Sequence, residues 1–116
     1  MPSTAAAAAP FDEGRSKGLV CTGRPGDPVL AAADGRGVYA GSGLRGFGNL
    51  VIVKHNNSYL TAYAHNQTLL VKEDQSVRRG QRIAEMGSSD AERVQLHFEI
   101  RRLGKPIDPA RLLPPR

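Results

Sequence analysis

The stretch Leu96-His97-Phe98-Glu99-Ile100 alternates apolar and polar side chains near the end of the chain. That is the period of a strand with one buried face. Leu96, Phe98 and Ile100 should face a core, while Gln95, His97, Glu99 and Arg101 face outward or into a groove. An imidazole on such a face has two chemical uses, metal ligation and proton transfer. Neither is complete alone. A catalytic zinc takes three protein ligands and keeps a fourth position for water. It lowers the pKa of that water to make hydroxide near neutral pH, and a base within reach must move the proton. Gln95, two residues before His97, offers an amide, which does not titrate near neutral pH. The same residues have a plainer reading: His97 as a hydrogen-bonded histidine on a half-exposed strand, and Glu99 with Arg101 as a solvated stripe.

A second constellation lies in "SYLTAYAH", where strand alternation puts Tyr59, Thr61, Tyr63 and His65 on one face and Leu60, Ala62 and Ala64 on the other. Tyr63 and His65 are candidates for the groove, or ordinary cross-strand partners. Cys21 is the one cysteine, so no internal disulfide forms, and it reads as small buried filler. The glycine-rich run "GSGLRGFG" lacks the Lys-Ser/Thr ending of a phosphate loop and no helix pattern follows it. It reads as a turning β-connection.

These residues need strands to hold them, and the chain supplies strand patterns almost throughout. "GLVCTG" is short, apolar and bounded by glycines. "DPVLAAADGRGVYAG" predicts two strands joined as a tight hairpin at Asp34-Gly35. "NLVIVKH" is apolar on both faces and should lie centrally. Asn56-Asn57 can turn the chain into the partner strand "SYLTAYAH". "TLLVKEDQSVRRGQRIAEMG" resolves into short strands with a polar turn through Glu73 to Gln75, since Gly80 interrupts any helix. Ser88 to Arg93 reads as a loop, "VQLHFEIRR" as the last strand, and a short helical turn is expected after Pro109. The predicted fold class is all-β: an antiparallel sheet built of hairpins, with no long helices.

The chain has 116 residues, enough for one domain. Residues 1–14 have no periodicity and read as a flexible leader or linker, leaving 15–116 as the domain. No apolar run is long enough to span a bilayer, and "MPSTAAAAAP" lacks the basic start and bulky apolar core of a secretory signal. The formal charge of +5 favours acidic partners: nucleic acid, anionic lipid, an acidic protein surface or cell-wall polymer. Lys and Arg are not interleaved with aromatic residues as a single-strand binder needs, which argues against nucleic acid. Arg45 and Lys54 read as generic positive charge able to contact an acidic partner.

Taken in order, "DPVLAAADGRGVYAG", "GFGNLVIVKHNNSYLTAYAH", "VRRGQRIAEMG" and "LHFEIRRLGKPIDP" resemble the LytM (lysostaphin-like) peptidase domain over about Lys17 to Pro109. Within that family the chain is most similar to the NlpD-type branch, through "GLRGFGNLVIVKHNNSYLTAYAHN" and the later "RLLPPR". The resemblance implies the LytM barrel-sandwich. It also implies a zinc site, held in active members by a His-x-x-x-Asp pair and the second histidine of a late His-x-His. A histidine in Tyr-x-His and the first histidine of His-x-His assist.

On this chain the late motif reads Gln95-Leu96-His97, so His97 matches the ligand and Gln95 replaces the assisting histidine. Tyr63-Ala64-His65 matches the other assisting motif. In "RSKGLVC", Ser16 stands for the ligand histidine and Val20 for the aspartate. One ligand of three remains, so no metal, no cofactor and no catalytic residue are expected. Cys21 is one residue past Val20 and would face away, short of a bulge. The branch is understood to activate periplasmic N-acetylmuramoyl-L-alanine amidases, which cut peptide stems from glycan strands as daughter cells separate. The implied function is therefore non-catalytic: a groove lined by Ser16, Val20, Tyr63, His65, Gln95, His97 and Glu99 that holds a segment of the amidase. The branch also implies an outer-membrane lipid anchor and a wall-binding module upstream of such a domain. Two other readings stand beside this one: a peptidoglycan-binding module without activator role, and a zinc endopeptidase, which fails on ligand count.

Overall fold

A computed structural model describes residues 7–9, 19–103 and 105–107. They form ten strands and no helix: β1 (Ala7–Ala9), β2 (Leu19–Thr22), β3 (Pro28–Leu30), β4 (Gly35–Gly41), β5 (Asn49–Lys54), β6 (Tyr59–Leu69), β7 (Ser76–Val77), β8 (Arg82–Met86), β9 (Gln95–Arg102) and β10 (Lys105–Ile107). The main sheet runs β1-β2-β9-β6-β5-β4-β7, with β10 on β9 and β8 joining β6 to β3. All pairings are antiparallel. The predicted all-β, antiparallel class is the one observed. The expected helical turn after Pro109 lies outside the described residues.

Alternation builds the core. Tyr63 and Phe98 lie opposite each other on β6 and β9, fully buried, their ring centroids 5.3 Å apart. Cys21 and Leu96 form the next such pair on β2 and β9. β5 is as central as its two-sided apolar pattern predicts: it lies between β4 and β6, and Leu50, Val51 and Val53 are buried.

One expectation is corrected. Asp34-Gly35 does not join a hairpin: β3 pairs with β8, while β4 pairs with β5 and β7. Gly35 serves close approach instead of a turn. A Cβ there would sit 2.6 Å from the Lys54 carbonyl oxygen and 2.7 Å from Val53 Cγ1. Within residues 1–14, Ala7–Ala9 pair with β2, Ala9 opposite Val20. Backbone pairing at a sheet edge needs no side-chain periodicity, so the sequence carried no signal for it.

β6 deserves its length of 11 residues. Its first half pairs with β9 from Tyr59 to Ala64, and its second half pairs with β8 from Asn66 to Leu69. On the β5 side the register slips by one between these halves, because Asn49 faces Asn66 while Val51 faces Tyr63. His65 occupies the slip with φ of 69°, the left-handed region. This is a bulge, and bulges re-aim side chains.

Candidate functional site

The face of the sheet opposite the core carries the site. His97 on β9 lies opposite Val20 on one side and Ala64 on the other. Glu99 lies opposite Ala62, and Ala62 opposite Ile52. The loop from Ser42 to Gly48 rises beside them and contributes Leu44 and Phe47. Together Leu44, Phe47, Leu50, Ile52, Leu60 and Ala62 line an open pocket of about 290 Å³, with Glu99 and Arg101 at its polar side. Phe47 and His97 bring their ring centroids to 6.4 Å.

Glu99 is the organising group. It is only 2 % exposed, which corrects its reading as part of a solvated stripe. A buried carboxylate requires partners. His97 Nε2 donates to Glu99 Oε2 at 2.7 Å, and Arg101 Nε donates to Oε1 at 2.8 Å. Burial pushes the Glu99 carboxyl up. The hydrogen bonds and charges of His97 and Arg101 outweigh that and hold it below its ordinary value.

His65 reaches the same face through its bulge. Its ring stands 6.2 Å from that of His97, edge to face. Nδ1 meets the Ser89 carbonyl oxygen at 2.8 Å, so Nδ1 carries the proton. Burial lowers the His65 pKa against that hydrogen bond; His97 lowers it further and Asp90 opposes.

Tyr63 is not in the groove. Its side chain is fully buried on the core face, and its hydroxyl accepts from Ala32 N at 3.0 Å and lies 2.8 Å from Thr61 Oγ1. Burial pushes its pKa up to about 12, against the hydrogen bonds of Thr61 and Ala32. The alternation that grouped Tyr59, Thr61, Tyr63 and His65 is broken between Tyr63 and His65. The groove face of β6 is Leu60, Ala62 and Ala64, joined by the re-aimed His65. Thr61 Oγ1 also bonds His55 Nε2 at 2.8 Å, tying this core-side chain to the turn after β5.

Of the remaining expected residues, Val20, Gln95, His97 and Glu99 share the groove face by register. Cys21 is buried on the other face. Ser16 lies outside the described residues. Lys54 is exposed at the end of β5, and Arg45 is exposed on the pocket loop. Sequence reasoning missed Phe47, Leu44 and Arg101. Phe47 and Leu44 sit in a loop without periodicity; Arg101 was on the right face, but nothing marked it as the partner of a buried acid.

The chain matches the model of Peptidase family M23 over residues 14–109. It belongs to that family. The M23 domain is 61% identical over 101 residues to the lipoprotein NlpD/LppB homolog of Pseudomonas aeruginosa, covering 87% of this chain and 34% of that protein. It is 56% identical over 104 residues to the murein hydrolase activator NlpD of Escherichia coli, covering 90% of this chain and 27% of that one. The chain thus spans about a third or less of these relatives. Among solved structures, a zinc-containing peptidase from Vibrio cholerae superposes with a TM-score of 0.87 at 29% identity, over 95% of this chain and 37% of that one.

Among the described residues no three His, Cys, Asp or Glu side chains gather to hold a metal. On this face His97 lies opposite Val20, which has no donor atom, and its Nε2 meets Glu99 Oε2.

Proposed function

We propose that this M23 domain is a non-catalytic activator of a periplasmic N-acetylmuramoyl-L-alanine amidase. On this reading it works in the cell envelope during cell separation and binds a segment of the amidase in the groove over β9. One observation carries the proposal: His97 and Arg101 are both turned onto buried Glu99, beside an apolar pocket open to solvent. The relatives' names, murein hydrolase activator and lipoprotein NlpD/LppB homolog, support the role and the envelope location.

Binding activates only if the groove prefers the amidase's open state over its closed one. The apolar pocket supplies that preference when a segment that blocks the amidase's own site carries an apolar side chain suited to it. The metal and the hydrolysis then belong to the amidase.

The test pairs the domain with a periplasmic amidase on isolated sacculi. The domain should raise release of wall fragments and release none alone. Ala62→Arg, which fills the groove floor, should lower stimulation by about tenfold or more, with its thermal melt as the control for folding. Hydrolysis by the domain alone, or zinc retained at one per chain after chelator washing, would overturn the reading. So would full stimulation by a folded Ala62→Arg domain. Binding to sacculi without stimulation would identify a wall-binding module instead.

A further inference from the structure

One register row crosses four strands on the groove face: Arg36 on β4, Lys54 on β5, Leu60 on β6 and Arg101 on β9, each directly opposite the next. The row beside it, Ile52, Ala62 and Glu99, leads toward His97. Three of the four side chains in the first row are cations, and two of them are immediate neighbours. Like charges placed opposite each other on adjacent strands weaken a sheet. Among the described residues no carboxylate relieves Arg36 or Lys54: both ion pairs found there end on Glu99, one from His97 and one from Arg101. Arg101 reaches Glu99 through Nε, and its terminal nitrogens make no hydrogen bond among the described residues. Leu60 and Arg101 also line the apolar pocket, so the row forms one end of it.

We propose that this row recognises an acidic polypeptide segment, one that seats an apolar side chain in the pocket and lays carboxylates across Lys54, Arg36 and Arg101. The proposal rests on the reading of the groove as a partner site and adds the chemistry of the partner. Charge complementarity and continuity argue for it: the unneutralised Lys54 and Arg36 continue the row that reaches the pocket through Leu60 and Arg101. The wall formed by Leu44 and Phe47 argues for a chain over a lipid surface, because a flat bilayer does not reach a walled floor. The cross-strand repulsion is relieved only when the segment binds.

Two fluorescent peptides test it by anisotropy with the whole chain: one alternating leucine and glutamate, the other with glutamine in place of glutamate. The acidic peptide should bind about tenfold more tightly and lose that advantage in high salt. Lys54→Glu should weaken acidic-peptide binding by about tenfold. Its melting temperature should stay level or rise, because the substitution turns a repulsive cross-strand pair attractive. Equal binding of the two peptides, or acidic-peptide binding unchanged by Lys54→Glu, would overturn the proposal. So would Lys54-dependent binding to phosphatidylglycerol vesicles without peptide binding. Amidase stimulation is read separately: a domain that binds the acidic peptide but stimulates nothing keeps this inference and loses the proposed function, and the reverse result does the opposite.

Discussion

Glu99 and His65 are two buried titratable groups whose acid sensitivities fall in different windows. The folded state holds the Glu99 carboxyl below its ordinary 4.5. Its charge therefore stabilises the fold above that value, and the contribution is lost as pH falls further toward the folded pKa. The folded state also lowers His65 from 6.5. The unfolded chain then takes up the proton first, so acidification below about 6.5 draws the equilibrium toward unfolding. Urea melts across pH should show two declines. His65→Gln should remove the upper one. Glu99→Gln should flatten the lower one and cost about 1–3 kcal/mol at neutral pH, because two charged donors lose their acceptor's charge. A single decline unaffected by His65→Gln would contradict the assignment of the upper window. At this scale the sequence was half legible. Alternation placed His97, Gln95 and Glu99 on one face correctly. It did not show that Glu99 is buried with His97 and Arg101 bonded to its carboxylate, because alternation marks a face and not its cover.

Among the elements, β6 and its surrounding loops decide where the site points. Regular alternation read from "SYLTAYAH" put Tyr63 beside His65, and one extra residue at the bulge separated them. Periodicity carries no mark of a bulge, because the tell-tale is a backbone angle and not a side-chain type. The same limit explains Asp34-Gly35: the pair looks like a turn, yet its glycine serves contact with β5. Gly48 is the sharper case. It has φ of 62°, and a Cβ there would collide with Ser89. Ser89 in turn holds His65 through its carbonyl, donates from Oγ to the Asn66 carbonyl, and accepts from Asn49 N. Gly48→Ala should cost about 1–3 kcal/mol through combined strain and overpacking. It should also move the His65 ring resonances in NMR spectra, while those of His55 on the core-side turn stay put. An unshifted His65 would show that Ser89 does not carry the coupling.

For the molecule as a whole, the sequence predicted the class and the broad order of strands, because two-residue periodicity recurs along nearly its whole length. It predicted the β5–β6 pairing through the Asn56-Asn57 turn, but not the long-range neighbours. β6 pairs with three others, β5, β8 and β9, and β9 pairs with β2, β6 and β10. Such long-range pairing makes unfolding cooperative, with little room for a partial opening that exposes the centre. Cys21 reports on this. Its side chain is fully buried between β2 and β9, so its modification by a thiol reagent should proceed at the rate of global unfolding and rise with urea in step with the melt. Fast labelling in native buffer would show that β2 detaches alone.

The inserted residue at His65 acts as a phase step in the strand that carries it. Upstream, odd-numbered side chains such as Thr61 and Tyr63 belong to the interior; downstream, the count begins afresh and the strand takes a new neighbour. Removing that one residue would join the two segments in a single unbroken alternation and take away the side chain that the step turns toward the groove. A cut of equal size in the loop after β8 would shorten a connection; here it would erase the step that brings an imidazole beside His97.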